Sequence, residues 1–307
     1  MGADARNAQQ RIRAGLLDAR DRLDAAGNAS PAADARALVE HAAQCDGPIV
    51  LADTVPDDFE ALLEAMLERR CAHEPLQLIR GWAPFRRLRL EVEPGVFVPR
   101  PETELVIDLL RDLATPPLHR IVDLCTGTGA IAAAVLDEVD AAQVTAVEVD
   151  ERAAALAQRN LRAVDPDGRG TVRRADVRDA AALADLRGID AVLSNPPYIP
   201  PGAIPRDRDV REHDPERALY GGGADGLEIP ADVIARAGEM LRPSGLLVME
   251  HADVQGAAAR VLAAAHGGFE QIRTVRDLTG RDRFLVASRR ADASLSGAGH
   301  VDERLNR

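Results

Sequence analysis

Four short stretches of this 307-residue sequence carry residue types at spacings that chemistry uses. The first is Asp123-Leu124-Cys125-Thr126-Gly127-Thr128-Gly129, between the apolar run at 120–124 and the alanine-rich run from Ala130. A strand, a glycine turn and a helix in that order let a ligand approach the backbone, because glycine has no Cβ in the way. Gly127-x-Gly129-x-x-Ala132 also fits a relaxed dinucleotide fingerprint, so the turn by itself does not name its nucleotide. The second is Glu148, which ends the next apolar run about twenty residues on, where a carboxylate can accept both hydroxyls of an adenosine ribose. The third is Asp176, placed after the third apolar run to meet an adenine edge. Its neighbourhood, RRADVRDA, equally offers pairing with arginine.

The fourth is Asn195-Pro196-Pro197-Tyr198, directly after the apolar run AVLS. In an open α/β sheet, ligands bind beyond the carboxyl ends of strands. Two prolines fix the backbone and remove two N–H donors. A stiff set of acceptors remains, the Asn195 amide oxygen and the Pro196 carbonyl among them, with Tyr198 offering a flat face. That arrangement suits a planar substrate group bearing an NH2 with two protons to donate. No general base is evident, and His213 and His251 read as loop and strand-end residues.

Composition narrows the chemistry. All 38 basic residues are arginine against 50 acidic ones, for a net charge of −12. Without lysine there is no Schiff base and no phosphate-loop lysine, which excludes pyridoxal-type and ordinary phosphoryl-transfer chemistry. The acidic balance argues against wrapping bare nucleic acid. Cys45, Cys71 and Cys125 are too few and scattered for a disulfide framework, and no Cys/His spacing resembles a metal site, so none is expected. No signal peptide and no apolar run of about 18 residues is present, and a cytoplasmic protein that avoids membranes is expected.

The elements that must position these residues follow from periodicity. IRAGLLDARDRL, ADARALVEHAAQ after Ser30-Pro31, and DDFEALLEAMLERRC repeat apolar residues at helical spacing, giving a helical bundle over 1–75. Residues 76–98 hold two extended runs broken at Gly81 and Ala83-Pro84, read as a β-hairpin linker. Over 99–290 strands alternate with helical runs, AALADLRG among the latter, predicting a mostly parallel sheet covered on both faces. The last two runs, EQIRTVRDL and RFLVASRR, suggest an antiparallel edge. Residues 199–226 read as a long Pro/Gly-rich loop and 291–307 as a disordered tail.

In this order, the Asp-x-x-x-Gly-x-Gly turn, the strand-end acid and NPPY resemble a class I AdoMet-dependent methyltransferase acting on an exocyclic or amide nitrogen. Val98-Pro99-Arg100-Pro101-Glu102-Thr103-Glu104 resembles the PRPETE segment of the protein-glutamine N5-methyltransferases, the PrmC/HemK family. Glu212-His213-Asp214-Pro215, Ala218-Leu219-Tyr220-Gly221-Gly222, Asp225-Gly226-Leu227 and Asp277-Leu278-Thr279-Gly280-Arg281-Asp282-Arg283 resemble its later segments. Cys125 stands where the family often has glycine, Val177 where tryptophan is common, and His251-Ala252 where Ile-Gly is usual.

The resemblance implies a Rossmann-like, mostly parallel seven-stranded sheet with an antiparallel edge, preceded by a substrate-docking helical bundle and the hairpin. It implies S-adenosyl-L-methionine held by Asp123, Cys125, Thr126, Gly127, Thr128, Gly129, Glu148, Asp176, Val177 and Asn195, with Arg100 and Thr103 bordering the pocket. It implies an acceptor glutamine in the Gly-Gly-Gln motif of peptide-chain release factors, oriented by Asn195, Pro196, Pro197 and Tyr198. A monomer with no stable nucleic-acid contact is expected. The alternative is a nucleic-acid adenine or guanine N-methyltransferase, which shares the NPPY logic.

Overall fold

The computed structural model describes residues 3–44, 48–140, 142–204 and 208–291. These fall into two compact units, one drawn from 1–99 and 202–218, the other from 100–201 and the chain from Leu219 onward. The disordered-tail expectation lies, apart from Ala291, outside the described residues.

The first unit is built from α1 (Ala3–Ala25), α2 (Pro31–Ala42), α3 (Phe59–Cys71) and the short α4 (Leu76–Arg80). Ile12, Ala19 and Leu23 pack with Leu38, Val39, Phe59, Leu63 and Leu67 in one apolar cluster. A Cβ on Gly15 would stand 2.8 Å from Leu63 Cδ2, so the glycine permits close approach of α1 and α3. Pro31 opens α2 as read, but the Ser30 side chain makes no capping bond. A charged cluster is buried in this unit. Arg70 Nε donates to Asp34 Oδ2 at 2.7 Å, and its Nη1 lies 2.8 Å from Asp209 Oδ2.

Two expectations shift here. Leu76–Arg80 is helical rather than extended, ended by Gly81 in the left-handed region, φ 75°. The hairpin then runs as β1 (Trp82–Phe85) and β2 (Leu88–Glu91), with Ala83-Pro84 inside β1. A proline is tolerated there because a two-stranded ribbon leaves every strand with an open edge. Part of the long loop read at 199–226 is also helical, at Arg208–His213, and Gly202–Ala218 groups with the first unit.

The second unit contains α5 (Leu105–Leu113), β3 (Arg120–Leu124), α6 (Ala130–Glu138), β4 (Gln143–Glu148), α7 (Glu151–Val164), β5 (Gly170–Arg174) and β6 (Ile189–Ser194). Helix Glu228–Met240, β7 (Leu241–Glu250), helix Gly256–His266, β8 (Phe269–Arg276) and β9 (Asp282–Arg289) complete it. The seven-stranded sheet has the order β5-β4-β3-β6-β7-β9-β8. The first five are parallel, and β9 pairs antiparallel with both β7 and β8. β6 is buried at every residue, as a central parallel strand covered on both faces must be. AALADLRG, read as a helix, is a series of turns instead. Asp179 caps the Ala181 and Ala182 N–H groups, but Gly188 at φ 66° closes the segment before a helix can propagate.

The chain moves outward from β3 through β4 to β5, then returns to lay β6 on the other side of β3. That reversal opens a crevice at the carboxyl ends of β3 and β6. Their last residues, Leu124 and Ser194, are paired, and Ser194 Oγ donates to the Leu124 carbonyl at 2.7 Å. The glycine turn and NPPY therefore leave the sheet side by side.

Candidate active site

The turn after β3 is a run of left-handed backbone: Cys125 at φ 59°, Gly127 at 57° and Gly129 at 82°. The two glycines serve different ends. A Cβ on Gly129 would stand 2.8 Å from Leu161 Cδ1 and 3.2 Å from the Ala157 Cα, so it is the price of packing α6 on α7. A Cβ on Gly127 would meet nothing within 4 Å, so the backbone there faces open space. Cys125 holds a left-handed conformation without being glycine, which costs roughly 1–2 kcal/mol. Burial, followed by the nearby Glu148, Asp123 and Asp176 carboxylates, raises its thiol and keeps it protonated.

Asp123 is fully buried and braces this turn from beneath. Its Oδ2 accepts from Thr126 Oγ1 at 2.5 Å and from the Ala132 N–H at 3.2 Å. Its Oδ1 is buried without a hydrogen-bond partner. Burial pushes this carboxyl up to about 7, opposed by the Thr126 and Ala132 hydrogen bonds and reinforced by Glu148. Asn160 on α7 donates to the Thr128 carbonyl at 2.9 Å and holds the far side of the turn.

Glu148 does more than its position in the sequence implies. Its Oε2 accepts from the Gly127 N–H at 2.9 Å, and its Oε1 from the Val149 and Asp150 N–H groups, both at 2.9 Å. It thus ties the glycine turn to the end of β4, and each oxygen keeps further lone-pair capacity. Burial raises its pKa, against these three backbone bonds. The Ala175 N–H donates to the Glu148 carbonyl, which brings Asp176 and Val177 to the neighbouring strand end. Val177 is buried in the sheet core, whereas Asp176 makes a bidentate pair with Arg178, at 2.6 Å for the Nη2–Oδ2 contact. The arginine alternative for Asp176 is therefore realised in this structure.

A second cluster gathers around Glu250, the carboxyl end of β7. Glu250 Oε2 accepts from Thr103 Oγ1 at 2.7 Å, and its Oε1 from the Tyr198 hydroxyl at 3.2 Å. Asn195 Nδ2 donates to the same Thr103 Oγ1 at 3.2 Å. Two residues named from sequence, Thr103 and Tyr198, thus meet on one that the site reading left out, and Asn195 reaches it through Thr103. A signal for it existed: Glu250 ends the apolar run LLVM as Glu148 ends its own. Arg100 occupies the N-cap position of the 3₁₀ turn Pro101–Glu104 that carries Thr103, and its carbonyl accepts the Thr103 N–H. Burial raises the Tyr198 phenol, with the Glu250 charge adding to it and Arg283 opposing.

The shape of NPPY is held by residues that sequence reasoning also missed. Gln255 Nε2 donates to the Tyr198 and Asp225 carbonyls, both at 2.8 Å, while its Oε1 accepts the Ala252 N–H at 2.9 Å. Ile199 and Tyr220 form a β-bridge, which brings the backbones so close that a Cβ on Gly221 would lie 2.7 Å from the Pro197 carbonyl. A Cβ on Gly226 would lie 2.3 Å from the Tyr198 carbonyl. His251 is buried with Nδ1 against the Ala252 carbonyl at 2.7 Å, and burial lowers its pKa. His213 belongs to the first unit.

The unobstructed backbone at Gly127, the buried acid Glu148 and the unpartnered Asp123 Oδ1 fit the adenosine and charged amino-acid groups of S-adenosyl-L-methionine. Among the described residues no group of three or more His, Cys, Asp or Glu could hold a metal, and no helix is long and apolar enough to cross a membrane.

Comparison with known proteins agrees with this architecture. The "PrmC N-terminal domain" family matches residues 16–81 and the "Methyltransferase small domain" family residues 88–205. The release factor glutamine methyltransferase of Bifidobacterium longum is 42% identical over 288 residues, covering 89% of this chain and 97% of that protein. The enzyme of the same name from Mycobacterium tuberculosis H37Rv is 35% identical over 292 residues, covering 93% and 94%. Among solved structures, the hMettl16 catalytic domain superposes with a TM-score of 0.50 at 17% identity, over 66% of this chain and 76% of that one, a likeness of fold. Identity at this level along nearly the whole length, with the glycine turn and NPPY emerging together at the switch point, shows that this chain belongs to the family of release factor glutamine methyltransferases.

Proposed function

We propose that this protein transfers a methyl group from S-adenosyl-L-methionine to the side-chain amide nitrogen of the glutamine in the Gly-Gly-Gln motif of peptide-chain release factors. The observation that carries the reading is the Asn195 amide. Its Nδ2 end donates to Thr103 Oγ1 at 3.2 Å. The Oδ1 end accepts no bond from any described residue, which leaves an acceptor at the mouth of the crevice.

When bound, S-adenosyl-L-methionine supplies an electrophilic methyl carbon on a cationic sulfur that departs as a neutral thioether. The Gly127 backbone and Glu148 would hold its adenosine end, and Glu148 would accept the ribose hydroxyls on lone pairs left by its three backbone bonds. A carboxamide nitrogen is a poor nucleophile because its lone pair is shared with the carbonyl. Asn195 Oδ1 and the Pro196 carbonyl accept its two protons and aim that lone pair, and Tyr198 packs on the amide plane. The nitrogen gains the methyl carbon and gives up one proton to water. Catalysis is then orientation and charge stabilisation without a covalent enzyme intermediate.

The protein acts as a cytoplasmic monomer on a protein acceptor, and the net charge of −12 with no lysine disfavours stable nucleic-acid binding. The test uses labelled S-adenosyl-L-methionine with a release factor, its Gln→Ala loop variant, rRNA, tRNA and DNA in separate reactions. Label that appears on the release factor and vanishes with the glutamine is expected; label on nucleic acid alone overturns the proposal. Asn195→Ala should abolish turnover while isothermal titration finds cofactor affinity within about 3-fold of wild type, because a group acting on the acceptor contributes to k_cat rather than to cofactor binding.

A further inference from the structure

We infer that Glu250 is a positioning residue for this methyl transfer: through Thr103 it decides which end of the Asn195 amide faces the acceptor, and through its other oxygen it fixes Tyr198. The inference rests on the functional reading above and deepens it. A threonine hydroxyl has one proton. Thr103 gives that proton to Glu250 Oε2, so its oxygen can only accept from Asn195. Asn195 must then present Nδ2 to Thr103, which turns Oδ1 outward. Reversing the amide would set Oδ1 against a hydroxyl with no proton to offer. The chain of donors, from Asn195 to Thr103 to Glu250, has one direction only while Glu250 accepts on both oxygens.

Glu250 and Thr103 are both at least 95% buried, so water does not compete for these bonds. The groups that face the carboxyl are Thr103 and Glu102 from the 3₁₀ turn, Tyr198 from the NPPY loop and Arg283 from β9, with His251 beside it turned to the Ala252 carbonyl. Burial pushes Glu250 up to about 7; Thr103, Arg283 and Tyr198 oppose this and Glu102 adds to it. Once protonated, one oxygen becomes a donor and competes with the Thr103 or Tyr198 proton, and the Asn195 amide loses its fixed direction.

The test has two arms on the full chain. In the protein alone, labelled with ¹⁵N-asparagine, the Asn195 side-chain resonances should move with a single midpoint near the Glu250 value of about 7. They should stop doing so in Thr103→Val and in Glu250→Gln. In turnover, Thr103→Val should lower k_cat at least about 30-fold with cofactor affinity within about 3-fold, and Thr103→Ser should recover to within about 5-fold of wild type. The acid limb of the wild-type k_cat profile should be missing in Glu250→Gln. Unchanged k_cat in Thr103→Val, or an Asn195 titration that survives in it, overturns the inference; if Glu250→Gln does not fold, the Val/Ser pair decides. Absence of wild-type label on the release factor overturns the functional reading instead, and the resonance arm still decides whether Glu250 governs Asn195.

Discussion

Gly127 and Gly129 both lie in the left-handed region, yet they answer to different constraints, and substitution separates them. Gly129→Ala forces a methyl group onto Leu161 Cδ1 and the Ala157 backbone. Strain and overpacking together should cost about 2–4 kcal/mol, read as a shift in the urea midpoint. Gly127→Ala meets no atom, so its stability cost should stay near the roughly 1–2 kcal/mol of left-handed backbone. Its methyl group would, however, enter the space proposed for the cofactor, and calorimetry should find affinity reduced at least about 10-fold. Equal effects of the two variants on both measurements would show that this division of labour is wrong.

At the level of elements, the NPPY loop is stiff because neighbouring segments clamp its carbonyls, and its prolines are only part of the cause. Gln255, at the N-cap position of helix Gly256–His266, joins the Tyr198 carbonyl, the Asp225 carbonyl and the Ala252 N–H. Removing it takes this partner from three part-buried polar groups, at roughly 1–3 kcal/mol each before water and relaxation compensate. Gln255→Ala should therefore lower stability by about 3 kcal/mol in denaturant melts and reduce k_cat more than cofactor affinity, since its contacts lie on the acceptor side. Another such joint lies at the opposite end of the sheet. Asp190 Oδ2 accepts from the His119 and Arg120 N–H groups, both at 2.8 Å, and its Oδ1 from Arg242 at 2.5 Å. One side chain thus binds the starts of β3, β6 and β7 together, far from the chemistry.

Across the whole molecule, stability depends on charges buried for other reasons. Asp123 is raised to about 7 in the folded state, against about 3.9 for a free aspartate. The folded chain then holds a proton that the unfolded chain has released, so this group's contribution is fully present at low pH and is lost as pH rises from about 4 through 7. Asp123→Asn keeps an acceptor for Thr126 and Ala132 and removes the ionisation. Its stability relative to wild type should grow between about pH 5 and pH 8, as chemical melts at both values would reveal; a constant difference would refute the perturbed carboxyl. The first unit has its own buried charges. Arg70→Ala leaves Asp34 and Asp209 without the guanidinium between them, which should cost about 3–5 kcal/mol. Amide exchange at Arg208–His213 should accelerate more than in the remainder of the unit, because Arg70 ties Asp209 of that helix to α3.

What the sequence determined by itself is whatever depends on residue type and short spacing. The glycine turn, the strand-end Glu148, NPPY and the alternation that makes a mostly parallel sheet with an antiparallel edge were all legible, because each is encoded within a few residues of itself. Periodicity was less sure where short signals compete: AALADLRG forms turns, and the run after Pro75 forms a helical turn before the hairpin. Only the tertiary structure decided the partners. Thr103 meets Asn195 across 92 positions of sequence and Glu250 across 147. Which acid closes the network at Asn195 turns on strand order and the returning path of the chain. Local chemistry names the groups that can react; the long-range register of the sheet sets which of them share a proton.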